Sequence, residues 1–287
     1  MKNIFLSITL FQFFILASIN AQIYKPSEAK IYQSLIGEVY FLSLFVDTRE
    51  DSWEEDEMKY FINKLGQSQA WLQDEASYYE QEIEFINDFF FENNQVIHLE
   101  NVRMGQNPKH TVQKIMDKLN YENFQDFLDK NYFDFKKNKL KFLLFVKSND
   151  RSHAYNYWSN SDLDLAVIYC GSNYGMVTDH YVISHEILHQ FGAWDLYYGE
   201  SQSLEKAEKA KELYPNSIMI NTWTNKLFLE VDELTAWRVG WHVDVKEEYF
   251  SFTPVWKKRS MKKTNNGTSI KFDWKKKKKE EDSSNEK

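Results

Sequence analysis

The eleven residues His185-Glu186-Ile187-Leu188-His189-Gln190-Phe191-Gly192-Ala193-Trp194-Asp195 hold most of the chemistry legible in this chain. The pattern is H-E-x-x-H followed by x-x-G-x-x-D. On a helix, residues four apart lie on one face about one turn apart. His185 and His189 can therefore grip one metal ion from the same side. Glu186 stands beside the first of them and can reach a water on that metal without being a ligand. Gly192 tolerates the positive φ of a helix end, and the turn it permits brings Asp195 back as a third ligand. Three protein ligands and one position left to water are what a catalytic zinc requires. The chemistry that follows is hydrolysis, with Glu186 as general base toward water and then proton donor to the leaving amine.

Two parts of that arrangement stay open at this level. Glu230, Asp232 and Glu233 lie in the acidic run Phe228–Thr235, and Glu233 on a later helix is a rival to Asp195 as third ligand. A tetrahedral oxyanion also needs a further donor, for which Tyr197, Tyr198 and His242 are candidates, Tyr197 first. His180 precedes His185 by five residues, about 140° away from the ligand face, and reads as a helix-start residue. His153 reads as a loop residue after a strand, and His98 and His110 have no context that promotes them. The single cysteine, Cys170, excludes an intramolecular disulfide and reads as a buried core thiol at the end of an apolar run.

The 185–195 segment resembles the zinc metalloproteases of the metzincin type, whose extended motif ends in His where this chain has Asp195. Asp in that place is similar to snapalysin, and the G-x-x-D-x-Y run is similar to the immune inhibitor A peptidases. The resemblance covers roughly residues 164–242. It implies an α+β, zincin-like fold: a twisted mixed sheet backing a metal-binding helix, with a small C-terminal helical lobe. It implies zinc as cofactor, His185, His189 and Asp195 as its ligands, Glu186 as the catalytic base, and Met219 in a Met-turn. The activity implied is that of a secreted zinc endopeptidase acting on protein or peptide. The alternatives are a zinc hydrolase of a non-peptide amide or ester, and a metal-binding adhesion or inhibitory module without turnover.

Composition is consistent with that class. The 287 residues are 43% hydrophobic, 17% aromatic and 27% charged, enough for one globular domain with a sizeable core. A net charge of −8 argues against nucleic acid as the main partner. Residues 1–21 read as a signal peptide, with Lys2 before a nearly unbroken apolar run too short to span a bilayer comfortably. Secretion or a periplasmic or cell-surface location is the expectation, without stable membrane insertion. Residues 22–274 form the expected catalytic domain, and 275–287 (KKKKKEEDSSNEK) a charged tail of the kind usually disordered. Nothing in the sequence bears on oligomeric state.

The elements that must position the motif follow from periodicity. Strands are expected at 38–46, 139–147 and 163–170, with a short one within 95–102. One or two helices are expected within 53–90, with Gly66 as a candidate division, and others at 108–129, 181–191 and 227–239. The 163–170 strand, just before the metal helix, is expected at the sheet edge bordering the cleft, where an extended peptide can add as a strand.

Overall fold

The computed structural model describes residues 34–47, 52–89, 96–99, 108–131, 139–155, 164–171, 178–199, 201–222, 226–242, 244–254, 263–264 and 267–268. The expected signal peptide and charged tail lie outside these residues. The chain is a mixed α and β structure built on one mixed sheet. Its strands are β1 (Gly37–Asp47), β2 (Ile83–Phe89), β3 (Ile97–His98), β4 (Lys139–Val146), β5 (His153–Tyr155) and β6 (Asp164–Tyr169). The spatial order is β2-β1-β4-β6-β5, and β3 also pairs with β1. All pairings are parallel except that of β5 with β6. Parallel strands covered on both faces read as nearly continuous apolar runs, as in the KLKFLLFV of β4.

Alternation along these strands feeds two cores. Phe41 and Phe45 of β1, Leu143 and Phe145 of β4, and Ala166 and Ile168 of β6 face one layer. That layer contains helices α1 (Glu55–Ser77) and α4 (His180–Gln190). Leu42 and Leu44, Phe142 and Leu144, and Leu165 and Val167 face the other. There α2 (Pro108–Lys118) and α3 (Phe124–Lys130) pack. Helix α1 starts with a Glu54–Glu57 capping box and three acidic residues in its first turn, favourable at the positive end of the helix dipole. The chain then adds α5 (Leu204–Leu213), a 3₁₀ turn Lys226–Phe228, α6 (Glu233–Val239), a second 3₁₀ turn Glu247–Phe252, and a hairpin of β7 (Lys263–Thr264) with β8 (Gly267–Thr268).

The structure settles or changes five sequence expectations. The 163–170 segment is not the edge, because β5 pairs on its outer side and is itself the edge. Three residues, His-Ala-Tyr, are too few for a strand pattern to register. Of the one or two helices expected before residue 90, one forms: α1 runs through Gly66, where an added Cβ would meet nothing within 4 Å. Residues 83–89, expected as helix, instead pair with β1 as β2. The 108–129 region divides into two helices around Asn120, whose φ of 61° places it in the left-handed region. The 227–239 region likewise becomes a 3₁₀ turn and a shorter helix, α6, because the Asp232 side chain caps the Thr235 N–H.

Candidate metal centre

Helix α4 begins where the Asp179 carboxylate accepts from the His180 N–H (2.6 Å). It ends at Phe191, and Gly192 follows with φ 97°. The Ala193 N–H donates back to the Leu188 carbonyl (3.1 Å), closing the turn that returns the chain toward the helix. The Leu196 N–H then donates to the Met219 carbonyl (3.0 Å), fixing the residue after Asp195. Sequence spacing and this turn together bring Asp195 beside the two histidines.

His185, His189 and Asp195 form a group that could hold a metal ion. The Nε2 atoms of the rings are 3.1 Å apart. Asp195 Oδ1 lies 3.0 Å from His189 Nε2 and 3.3 Å from His185 Nε2. A tetrahedral zinc with bonds of about 2.0–2.1 Å has ligand–ligand edges of about 3.3 Å, so the donor set is near that size. Each ring also has its other nitrogen occupied. His185 Nδ1 donates to the Ile218 carbonyl (3.0 Å) and His189 Nδ1 to the Ala193 carbonyl (2.9 Å). A carbonyl only accepts, so both protons belong on Nδ1 and both Nε2 lone pairs point at the shared centre. Such a centre attracts positive charge. Burial alone would lower the His189 ring, but the adjacent Asp195 carboxylate outweighs it and raises the ring to about 9. Burial works to raise Asp195, yet the two rings hold its carboxyl well below the usual range.

Glu186 is 4% exposed, and its Oε2 has no hydrogen-bond partner. Burial raises its carboxyl above the ordinary value, against the pull of His185 and His189. Leaving a buried acceptor unmatched costs on the order of 1–3 kcal/mol. The group is retained where it lines a cleft of about 440 Å³ together with His185, Arg151, Tyr169, Tyr197 and Thr222. Tyr197 stacks near His185 with ring centroids 6.4 Å apart, and the Arg151 guanidinium donates to its hydroxyl. Burial pushes the Tyr197 hydroxyl up, so it stays a proton donor.

The turn around Met219 sits under the site. The Met219 side chain is fully buried, and its N–H donates to Ser217 Oγ (3.1 Å). Ser217 Oγ in turn donates to Asp232 Oδ2 (2.6 Å), and Asp232 caps α6. Arg238 of α6 donates through Nε to the Gly192 carbonyl (2.9 Å), with its guanidinium 4.2 Å above the Trp194 ring. A chain of polar contacts therefore runs from α6 to both sides of the donor set.

The other candidates go elsewhere. Glu233 is half exposed, pairs with Lys246 and accepts from Tyr249, so the structure does not bring it to the histidines. Asp232 is spent on Ser217 and Thr235, and Glu230 is exposed. Tyr198 lines the cleft, whereas His242 stacks on Tyr79 and is not part of the cleft lining. His180 contacts Asp179. His153 lies on β5, with Nδ1 against the Arg151 carbonyl. His98 and His110 are exposed. Burial pushes the Cys170 thiol up, and Sγ donates to the Ile168 carbonyl (3.4 Å); the residue is partly buried against the core rather than within it.

Sequence reasoning missed Arg151, Ser152, Gly171, Thr178 and Thr222 in the cleft lining. One signal was available. Ligand crevices form beyond the carboxyl ends of parallel strands, and residues 150–152 and 171 follow β4 and β6 there. Gly171 is tight: a Cβ would lie 2.6 Å from the Ser148 carbonyl oxygen. The chain matches no model of a known protein family and no curated protein, so the functional reading rests on this geometry.

Proposed function

We propose that the protein is a zinc-dependent endopeptidase of zincin-like architecture, acting on protein or peptide outside the cytoplasm. The observation that carries this is the pairing of a His185–His189–Asp195 donor set with a buried Glu186 carboxyl that has an unmatched oxygen in the same cleft. Zinc, when bound there, supplies a Lewis acid that makes water acidic near neutral pH and polarises a carbonyl oxygen. Glu186 takes the proton of the attacking water at Oε2 and passes it to the departing amine. Tyr197 offers a hydroxyl proton toward oxyanion charge, with Arg151 holding that hydroxyl in place. A peptide substrate is favoured by the short edge strand β5, which follows directly on the cleft residues Arg151 and Ser152 and leaves an edge for strand addition. Zinc rather than a harder ion fits two imidazoles and one carboxylate. Among the described residues, no helix is long and apolar enough to cross a membrane. Export is proposed on the N-terminal sequence alone.

The test is Glu186→Gln in the full chain, with metal content and peptide-library cleavage measured side by side. The expected result is retained metal and turnover lower by about 10³-fold, within the range general acid–base groups contribute. A metal-replete variant with near-normal turnover removes Glu186 from the chemistry. Metal without peptide cleavage in either protein shifts the reading to a non-peptide substrate or a binding role.

A further inference from the structure

The basic C-terminal segment is separate in sequence from the His185–His189–Asp195 donor set. Residues 255–287 contain twelve Lys and Arg against five Asp and Glu, a formal +7, which leaves −15 on residues 1–254. Within it, residues 256–279 hold eleven of the basic side chains and one acidic one, Asp273, interleaved with Trp256, Phe272 and Trp274. The segment is thus both cationic and aromatic.

A groove of the opposite character lies away from the cleft. It encloses about 940 Å³ between α1, the start of α4, the Lys226–Phe228 turn and the start of α6. Its apolar walls are conspicuously open: Leu227 is 92% exposed, Tyr78 80% and Phe228 65%. Exposed apolar surface with a polar rim marks interaction sites. The rim carries Asp74, Glu230 and Glu248, none of which makes an ion pair among the described residues. The two lysines in the lining are already engaged, Lys226 with Asp179 and Lys246 with Glu233. The groove is therefore acidic and aromatic without a cation of its own to spare.

The chain leaves from the rim itself. Glu248 belongs to the Glu247–Phe252 turn, and Pro254 follows it by six residues. At about 3.3–3.6 Å per residue, the eight residues 255–262 before the β7–β8 hairpin can reach at most roughly 30 Å and the eleven after it roughly 40 Å, so length does not limit contact. A tether of this kind gives an effective concentration on the order of millimolar, enough to populate contacts that would be weak between separate chains.

We propose that this groove seats the chain's own residues 256–279. Their aromatic side chains pack on Leu227, Phe228 and Tyr78, and their lysines face Asp74, Glu230 and Glu248. The seating is independent of the metal reading, since no donor of the metal centre lines the groove.

Carbodiimide cross-linking of the full chain at low concentration, mapped by mass spectrometry, tests this. The expected products are intramolecular links from lysines of 257–279 to Asp74, Glu230 or Glu248. Their yield should fall about fivefold in about 0.5 M salt, where surface charges are screened. Glu230→Gln with Glu248→Gln should remove most of it, and Leu227→Ser with Phe228→Ser should reduce it with every rim carboxylate intact. Links scattered over carboxylates outside the groove, links formed only between two chains, or no links at all overturn the proposal. Undiminished links in the Leu227/Phe228 variant overturn it as well, because they leave the apolar walls without a role.

Discussion

Along β4, Leu140, Phe142, Leu144 and Val146 enter a layer closed by α2 and α3, whose buried residues are aliphatic and aromatic, with Thr111 the polar exception. One residue out of step on the same strand, Lys141 is 3% exposed on the other face. Its Nζ donates to the Gln190 carbonyl (3.3 Å) and lies 4.4 Å from the Phe191 ring centroid, at the negative end of α4. That second layer buries polar groups repeatedly, and several are matched across elements. Ser68 bonds Ser184 (2.8 Å), Gln69 bonds Asn87 in both directions, and Glu75 accepts from the Val231 N–H (2.7 Å). The contrast separates two jobs within one sheet. Apolar packing on the first face supplies stability without directional demands. The matched polar groups of the second face add directional ties, joining α1 to α4, to β2 and to the segment before α6. Ser43 Oγ and the Tyr214 hydroxyl are also unmatched, but Glu186 Oε2 is the one that lines the cleft, where water and substrate would enter.

The sharpest way to break this contrast is Asp195→Ala. Loss of a direct ligand should weaken metal binding by more than the roughly 10–100-fold that supporting residues contribute, read by competition with a chelator. Unchanged affinity would move the third ligand to another residue. Phe142→Ala, on the apolar face, should instead cost about 3–5 kcal/mol of stability by denaturant unfolding, with metal affinity in the folded protein preserved. A matching loss of metal affinity would mean that the two faces are not separable.

Arg238→Met sharpens the comparison from within the second face. It keeps an apolar stem but removes both the guanidinium over Trp194 and the bond to the Gly192 carbonyl, so metal affinity should fall about tenfold. Equal affinity would show that the Gly192–Asp195 loop holds itself.

The smallest effect is a pH slope. Desolvation raises the Glu75 carboxyl above its ordinary value of 4.5, against the opposing Val231 N–H. The folded chain then binds this proton more tightly than the unfolded one. The stability contributed is complete below the unfolded value and is lost as pH rises through the folded one. Glu75→Gln should remove that part of the slope, seen as a difference between the two unfolding free energies that grows across this window. Parallel pH profiles would place Glu75 in a more polar setting than its burial suggests.

The parts legible in the sequence were those with a strong period or a fixed spacing. The strands β1, β4 and β6 and helix α4 lie within one residue of their expected bounds, because unbroken apolar runs and an i, i+4 pair leave few alternatives. Gly192 and the three-residue step to Asp195 likewise determine a turn that local chemistry alone can make. What stayed hidden depends on distant partners. The IEFINDF of β2 is a strand because β1 offers it a parallel edge. The position of β6 depended on a three-residue neighbour, and Arg151 reaches Tyr197 only through the fold. Asp232 was visible as an acid near the site, but its role as brace for the Met219 turn requires Ser217 fifteen residues away.

The most direct test of the central claim is X-ray absorption at the zinc edge on the metal-loaded full chain. The account predicts one zinc with two imidazole nitrogens and oxygen donors at about 2.0–2.2 Å and no sulfur shell. A sulfur contribution from Cys170, a third imidazole, or a chain that binds no zinc would contradict it.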